Sequence, residues 1–561
     1  MTDLCAALRD IVGKRHVLTS ARATARYRTG YRTGAGPAHA VVRPGNLVEF
    51  WHVARVCVAA DVSIIVQASN TGLTGGSTPD GADYPGGVVI ISTTRLAGLK
   101  IICEGEQVLC MPGTTLNHLE QALRPLGREP HSVIGSSCLG ASVVGGVCNN
   151  SGGSLVRRGP AYTEMAIYAQ VQPDRTLRLV NRLGINLGAE PEEILSRLDR
   201  GDYTEQDIEP AGHRRAHDHD YIHHVRDIDS EVPARFNADP RCLFEAAGSA
   251  GKLIVFAVRL DSFPRDDNTV TFYLGTGDPD RLTELRRTML RDFDVPPIAG
   301  EYMHRDAFDI ADRYGRDTFF AIEKLGTDRL PTLFAVKARF DGFFGAGTSE
   351  RLMQRASRLI PDHLPARMRD FRERFKHHLI LKVSADQVEA TRAMLSGLFA
   401  NAAAAHFECT AQEAAKAFLH RFVAAGAAVR YRAVHRDQVE DIVALDIALP
   451  RNTRDWVEQL PDELSERSIH TLYYGHFFCQ VFHQDYIVAK GTDPLAYEHA
   501  LWKLLDLRGA QYPAEHNVGH LYVARPELAD FYRSIDPCNQ LNPGIGHTPK
   551  GRDWIATGET P

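Results

Sequence analysis

An apolar run, VSIIV at residues 62–66, passes directly into QASNTGLTGGSTP, and this junction restricts the fold more than any other stretch of the chain. The run has the length and β-branched content of a buried strand. Gly72, Gly75 and Gly76, spaced by small hydroxyl residues, let a backbone approach a phosphate closely and turn several N–H groups toward it. The spacing is neither a dinucleotide fingerprint nor a P-loop. The nearest approach to a P-loop, AAGSAGKL at 246–253, has Ala246 where the first glycine belongs and Leu253 where Ser or Thr would bind magnesium. ATP-driven chemistry therefore loses its main support.

A second glycine-rich stretch, PHSVIGSSCLGASVVGGVCNNSGGSLVRRG at 130–159, follows a helix-like segment, TTLNHLEQALRPLG. Two such loops suit a long ligand with a pyrophosphate in its middle. The first 265 or so residues are rich in Gly and Val, with short strands such as GVVIIST between turn signals, an α+β pattern.

At 561 residues the chain is long enough for roughly three or four domain-sized units. A net charge of -6 argues against nucleic acid as the main partner. The first twenty residues carry no signal peptide and repeat their apolar positions at helical spacing, so a cytoplasmic protein is expected. No apolar run approaches the roughly 20 residues needed to span a bilayer, so membrane contact is expected to be peripheral. The ten cysteines form no CxxC pair and read as reduced thiols.

Residues 329–378 differ in character, with eleven Arg or Lys against five acids, interleaved with Leu, Phe and Met. Such a segment suits an anionic lipid surface, where each basic residue contributes about 1 kcal/mol. The alternative is the solvated face of ordinary helices.

In YYGHFFCQVFHQDYIV, residues 473–488, His476 and His483 stand seven positions apart. Composition favours strand, and strict alternation sends residues an odd number apart to opposite faces. In one straight helix the rings would lie about 10 Å apart, too far to share an ion. Either the two are unrelated core histidines or the chain kinks between them.

The order VVRPGNLVEF, ASNTGLTGGSTP, PGTTLNHLEQALRPLGREP, IGSSCLGASVVGGVCNNSGG and GSAGKLIVFAVRL resembles the FAD-binding domain of the vanillyl-alcohol-oxidase-like flavoproteins, in the branch that oxidises D-2-hydroxy acids. Nearly end to end, through NADPRCLFEAAGSAGKL, GAQYPAEHNVGH and LNPGIG, the chain is similar to the respiratory members of that branch, which take D-lactate and reduce membrane quinone. The resemblance implies an α+β fold: an FAD-binding domain of two α+β subdomains, an α+β cap or substrate domain, and a basic, mostly helical membrane-contacting segment. The expected boundaries are 1–265 for FAD binding, 266–325 and 381–520 for the cap, 326–380 for membrane contact with a further piece at 416–440, and 521–561 for a return to the FAD domain.

By the same resemblance, the backbone of Ala68, Ser69, Asn70, Thr71 and Gly72, with Gly76 and Ser77, would bind the FAD pyrophosphate. Gly135, Ser142 and Gly152 would line the flavin, and Val255 would hold it through main-chain contacts. No histidine lies in the 66–79 loop, where some relatives attach flavin covalently, so the FAD is expected to be dissociable. In the wider family two histidines flank a tight turn, GHxGDGNxH, and with a later glutamate ligate a divalent metal, the next histidine being the catalytic base. The matching positions are His476, His483, Glu515 and His516. The GDGN turn is missing, with FFCQVF at 477–482 in its place. Two imidazoles and a carboxylate suit zinc, manganese or iron.

Oxidising a 2-hydroxy acid needs a base for the hydroxyl proton and a cation for the carboxylate. Neutral His516 is the expected base. AFLHRF at 417–422 resembles the family's LWxxR segment and nominates Arg421, with Arg430 as a weaker candidate; each also reads as a lipid-facing charge. Ala444 stands where relatives that take dicarboxylates carry a lysine, which favours a small monocarboxylate such as lactate over 2-hydroxyglutarate. With no haem or iron–sulfur cysteine spacing, a diffusible acceptor is required, and the basic segment would bring the chain to membrane quinone on the cytoplasmic side of the bacterial inner membrane. Two other readings are a dehydrogenase of glycolate or a larger D-2-hydroxy acid with a soluble acceptor, and a flavin-bearing membrane-surface protein without turnover.

Overall fold

The computed structural model describes residues 2–30, 32–131, 140–210, 213–325, 347–357, 359–401 and 403–555. Gly135 and residues 326–346 of the basic segment lie outside them.

The glycine-rich first half builds two small sheets. In one, Ala40–Val42, Val88–Ser92 and Ser63–Gln67 run parallel, with Val17–Leu18 antiparallel at the edge. Their Val and Ile runs are those of strands covered on both faces. The helix Leu47–Ala59 connects Ala40–Val42 to Ser63–Gln67, its start set by Asn46, whose side chain accepts from the Glu49 N–H. The other sheet is antiparallel, in the spatial order Leu99–Ile102, Gln107–Cys110, Ile254–Asp261, Ala166–Val171, Leu177–Asn181. These are the two α+β subdomains that the resemblance implied. The C-terminal return docks on the first sheet: the Ile64 N–H donates to the Gln540 carbonyl, and the Asn542 N–H to that of Ile64.

Between them residues 269–489 form an eight-stranded sheet, ordered Ala400–Asn401, Ala404–Glu408, Thr269–Thr276, His377–Ser384, Ala299–His304, Ser468–His476, Val481–Ala489, Val439–Ala448. Alternation divides its side chains between two cores. Phe272, Leu274, Leu379, Leu381, Leu445 and Ile447 enter one, whereas Tyr273, Ile380, Met303, Tyr474 and Ile487 enter the other. The second core is closed by the helices Arg305–Tyr314, Ala366–Arg374, Ala411–Phe422 and Ala424–Val434. The strand His377–Ser384 sits centrally in this sheet, so the expected boundary at 380 cuts through a core element; the basic stretch ends at Lys376 instead.

The charge of that stretch is also altered by the fold. Arg367 bonds Glu413 (2.8 Å), Arg372 bonds Asp309 (2.7 Å), Arg374 bonds Asp370 (2.9 Å), and Arg369 lies between Asp312 and Asp362. Asp309, Asp312 and Glu413 come from outside the counted window, so these arginines are largely neutralised within the protein. The helix Thr348–Ser357 differs: Arg351, Leu352, Met353 and Arg355 are exposed on it, with Leu359 just beyond. In the 416–440 piece, the reading of Arg421 and Arg430 as lipid-facing charges is corrected, because they are only 9% and 3% exposed. Arg430 is held between Asp317 and Glu350, which also removes it from the substrate-binding candidates. Among the described residues no helix is long and apolar enough to cross a membrane, and every cysteine has a free thiol.

Candidate active site

The chain between His476 and His483 does kink. Ser468–His476 and Val481–Ala489 are the arms of a hairpin whose turn is Phe477–Cys479, with Gln480 in the left-handed region (φ 52°). The turn holds without GDGN because its apolar residues are buried and its backbone is bonded from the core, where Arg286 Nε donates to the Phe478 carbonyl (3.0 Å). Gly300 makes room for it, since a Cβ there would meet the Phe478 ring at 2.3 Å.

Register then gathers polar groups on one face. His476 lies opposite Glu301, His483 opposite both Tyr474 and Asp446, and Asp485 opposite Ala444. The His476 and His483 ring centres are 5.4 Å apart, and ligand atoms of His476, His483 and Glu515 lie within 4.8 Å of one another. His476 Nδ1 is 2.6 Å from Glu301 Oε1, and its Nε2 is 3.4 Å from Glu515 Oε2. Asp446 accepts from the Glu515 N–H (2.6 Å) through Oδ2, which also meets His516 Nδ1 (3.0 Å), while Oδ1 lies 3.4 Å from His483 Nδ1. Arg421, from the helix Ala411–Phe422, pairs with Glu301 (3.1 Å) and lies over the Tyr474 ring. Its Nε has no hydrogen-bond partner among the described residues.

Glu515 and His516 arrive on a loop that is bound to both glycine-rich stretches. Thr74 Oγ1 donates to the Asn517 carbonyl (2.8 Å), and Asn517 Nδ2 donates to Asn149 Oδ1 (2.6 Å). At Gly76 a Cβ would stand 2.5 Å from the Asn517 amide, and at Gly152 one would stand 2.2 Å from Glu515 Oε1. Arg235, 1% exposed, bonds the Gly153 carbonyl and pairs with Glu515 Oε1 at 2.5 Å. The glycines are therefore needed where the loops meet the acid.

Electrostatics follow from this packing. Burial alone would lower the His476 pKa, but Glu301 and Glu515 outweigh it and raise it to about 10. His483 is lowered to about 4, first by burial and then by the charges of His476 and Arg421, against the pull of Asp446. Burial would raise Glu515, yet Arg235 and His476 hold it well below the ordinary carboxylate range. His516 is raised because Asp446 outweighs burial. Both nitrogens of His476 thus lie beside carboxylates and His483 stays a neutral imidazole beside Asp446, so His476, His483 and Glu515 are residues that could hold a divalent metal ion.

The first loop fits a phosphate-bearing ligand. Among the described residues no backbone carbonyl accepts from the N–H groups of Ser69 to Ser77. Asn70 (φ 54°) and Gly75 (φ 74°) turn the chain there, and Ser77 Oγ donates to Asn70 Oδ1 (3.0 Å). A Cβ at Gly72 would meet open space. Ala68 and Thr71 belong to the same run. Ser142 caps the helix Val143–Cys148 through the Gly145 N–H. Val255 pairs with Tyr168 on one side, while the Gln107–Cys110 ladder on the other begins only at Val258. Sequence reasoning missed Glu301, Asp446 and Arg235. Asp446 was visible as the acid of VALDIALP, but nothing local marked its role.

Comparison with solved structures matches the fold. Alkyldihydroxyacetonephosphate synthase superposes with a TM-score of 0.59 at 12% identity, over 97% of this chain and 86% of that one. Substrate-bound p-cresol methylhydroxylase gives 0.56 at 13%, over 100% and 98%. A family model described as an FAD binding domain matches residues 38–171. The chain thus has the fold of the vanillyl-alcohol-oxidase-type flavoproteins and carries an FAD-binding domain. A second family model, described as D-lactate dehydrogenase, membrane binding, matches residues 271–554. The quinone-dependent D-lactate dehydrogenase of Escherichia coli (strain K12) is 57% identical over 98% of this chain and 97% of its own length, and that of Haemophilus influenzae 54% identical over 98% and 99%. The chain belongs to the family of quinone-dependent D-lactate dehydrogenases.

Proposed function

We propose that the protein oxidises D-lactate to pyruvate and delivers the electrons to membrane quinone at the cytoplasmic face of the bacterial inner membrane. The observation that carries this reading is the His516–Asp446 pair beside His476, His483 and Glu515, at the point where both glycine-rich loops converge. The 68–77 loop would hold FAD without a covalent bond, and the bound flavin would supply an acceptor for the Cα hydrogen with its electron pair. A zinc, manganese or iron ion held by His476, His483 and Glu515 would supply Lewis acidity toward the substrate hydroxyl.

The chain's own residues do the rest. Asp446 fixes the proton of His516 on Nδ1, leaving Nε2 to take the hydroxyl proton, and then stabilises the imidazolium. Arg421 grips the carboxylate, its unpartnered Nε and a shared Glu301 leaving donors for both oxygens. Ala444 offers no second cation and faces the buried acid Asp485 across the register, so a dicarboxylate would meet like charge.

Anaerobic stopped-flow absorbance tests the reading: D-lactate is expected to bleach the flavin rapidly, while L-lactate, glycolate and D-2-hydroxyglutarate leave it oxidised. Acid precipitation of the same preparation releases the flavin to the supernatant. Bleaching by glycolate or D-2-hydroxyglutarate in preference to D-lactate would overturn the substrate. Chelation is expected to slow turnover, with recovery on adding zinc, manganese or iron. Full activity in protein shown metal-free by elemental analysis would remove the ion from the site.

The exposed Arg351, Leu352, Met353, Arg355 and Leu359 support contact with an anionic lipid surface. The protein is expected to sediment with anionic vesicles, and Leu352→Asp combined with Leu359→Asp to reduce the bound fraction. An unchanged fraction would assign the contact to another surface.

A further inference from the structure

Away from the central cluster, in the segment RRAHDHD, His217 and His219 lie beside the end of the strand Ile254–Asp261. Their ring centres are 4.2 Å apart. Asp261 Oδ2 lies 2.5 Å from His217 Nδ1 and 3.9 Å from His219 Nε2. From this geometry we infer a second metal site, formed by His217, His219 and Asp261 and specific for a divalent transition-metal ion such as zinc.

The three ligand atoms fall within 4.8 Å of one another. Zinc–nitrogen bonds of about 2.0–2.1 Å in tetrahedral array place ligands roughly 3.3 Å apart. His217 would back away from Asp261 by under about 1 Å, and His219 would advance by less, both by ring rotation on a surface loop. The surroundings are built to hold this arrangement. The other oxygen of Asp261 accepts from Gln107 Nε2 (2.7 Å), and Gln107 Oε1 accepts from Arg259 Nε (2.8 Å), an arginine 1% exposed. The edge of His217 packs on Phe263 at 5.1 Å, and the Asp261 N–H donates to the Ala216 carbonyl (3.2 Å). A carboxylate oriented from behind is an outer-shell feature that sets a ligand's direction. Two imidazoles and one carboxylate select zinc, nickel or copper over magnesium or calcium. With His219 half exposed, the remaining positions on the ion open to water. The ion would pin the 213–220 loop to the strand.

Calorimetry of zinc binding to the chelator-treated, FAD-loaded full chain tests this, with native mass spectrometry counting ions. A zinc uptake is expected that persists in His476→Ala/His483→Ala protein and is lost, or weakened at least tenfold, in His217→Ala/His219→Ala, whose flavin still bleaches with D-lactate. Asp261→Asn, which keeps the acceptor for Gln107, is expected to weaken the same uptake, and magnesium to give none. Equal zinc number and affinity in wild type and His217→Ala/His219→Ala would overturn the site. That comparison decides even if the variant of the central histidines does not fold, and it is independent of the central metal.

Discussion

His516→Ala protein is expected to keep its fold and its flavin while anaerobic flavin reduction by D-lactate slows at least about a hundredfold, the scale for removing an acid–base group. The fold should survive because the side chain is 38% exposed and its loss opens no sealed cavity. Asp446 retains the Glu515 N–H at 2.6 Å and His483 at 3.4 Å, so the carboxylate is not left unpaired. What disappears is the only ring in the cluster that combines access from outside with a carboxylate on its far nitrogen. His476 is flanked by Glu301 and Glu515, and His483 lies deeper against Tyr474. A rate close to wild type in the stopped-flow instrument would move the base elsewhere.

The second large effect belongs to Arg235. Arg235→Met is expected to cost about 3–5 kcal/mol of stability, because one partner of a buried ion pair is removed and the other remains. The guanidinium is 1% exposed and is the charge nearest Glu515 Oε1, at 2.5 Å. It also bonds the carbonyl of Gly153, so its loss frees the loop against which Glu515 is packed. The contrast is Arg175, 39% exposed, whose pairs with Asp61 and Asp553 should contribute about 0–1 kcal/mol. Thermal unfolding followed by both circular dichroism and flavin release checks the prediction, with the Arg175→Ala protein as reference. A wild-type midpoint for Arg235→Met would mean that another group neutralises Glu515.

Much of the architecture could be read from local pattern. The apolar run at 62–66 and the glycines after it belong together because a strand must be followed by a loop whose backbone can turn its N–H groups outward, and both properties are written in consecutive residues. The α+β character of the first 265 or so residues was legible for the same reason, whereas their division into two subdomains came from the family resemblance. The spacing of the histidines left open whether the two rings are unrelated or brought together across a kink, and the hairpin supplies the kink. FFCQVF makes the turn through burial of Phe477 and Phe478, a stabilisation that depends on Gly300 in a neighbouring strand and on Arg286 in a distant helix.

The count of bases along the segment overstates the charge that its described arginines present at 367–374, because a count along the chain omits acids supplied by other elements. Asp309, Asp312 and Glu413 reach Arg372, Arg369 and Arg367 only after the helices have packed. The same limit hid Glu301 and Asp446. Glu301 stands in a run without any distinguishing motif and Asp446 in VALDIALP, where nothing local marks its role; each becomes a partner of a histidine through sheet register.

The sequence by itself therefore determined the glycine-rich loops, the strand and helix periods, the spacing of the histidines and the family to which they point, since these depend on neighbours a few residues apart. Tertiary structure decided which carboxylate faces which imidazole, which arginines are neutralised, and that Gly152 must yield its side-chain volume to Glu515. Those outcomes rest on electrostatic and steric contacts that act over a few ångströms through space, and only strand register and helix packing bring the groups that close.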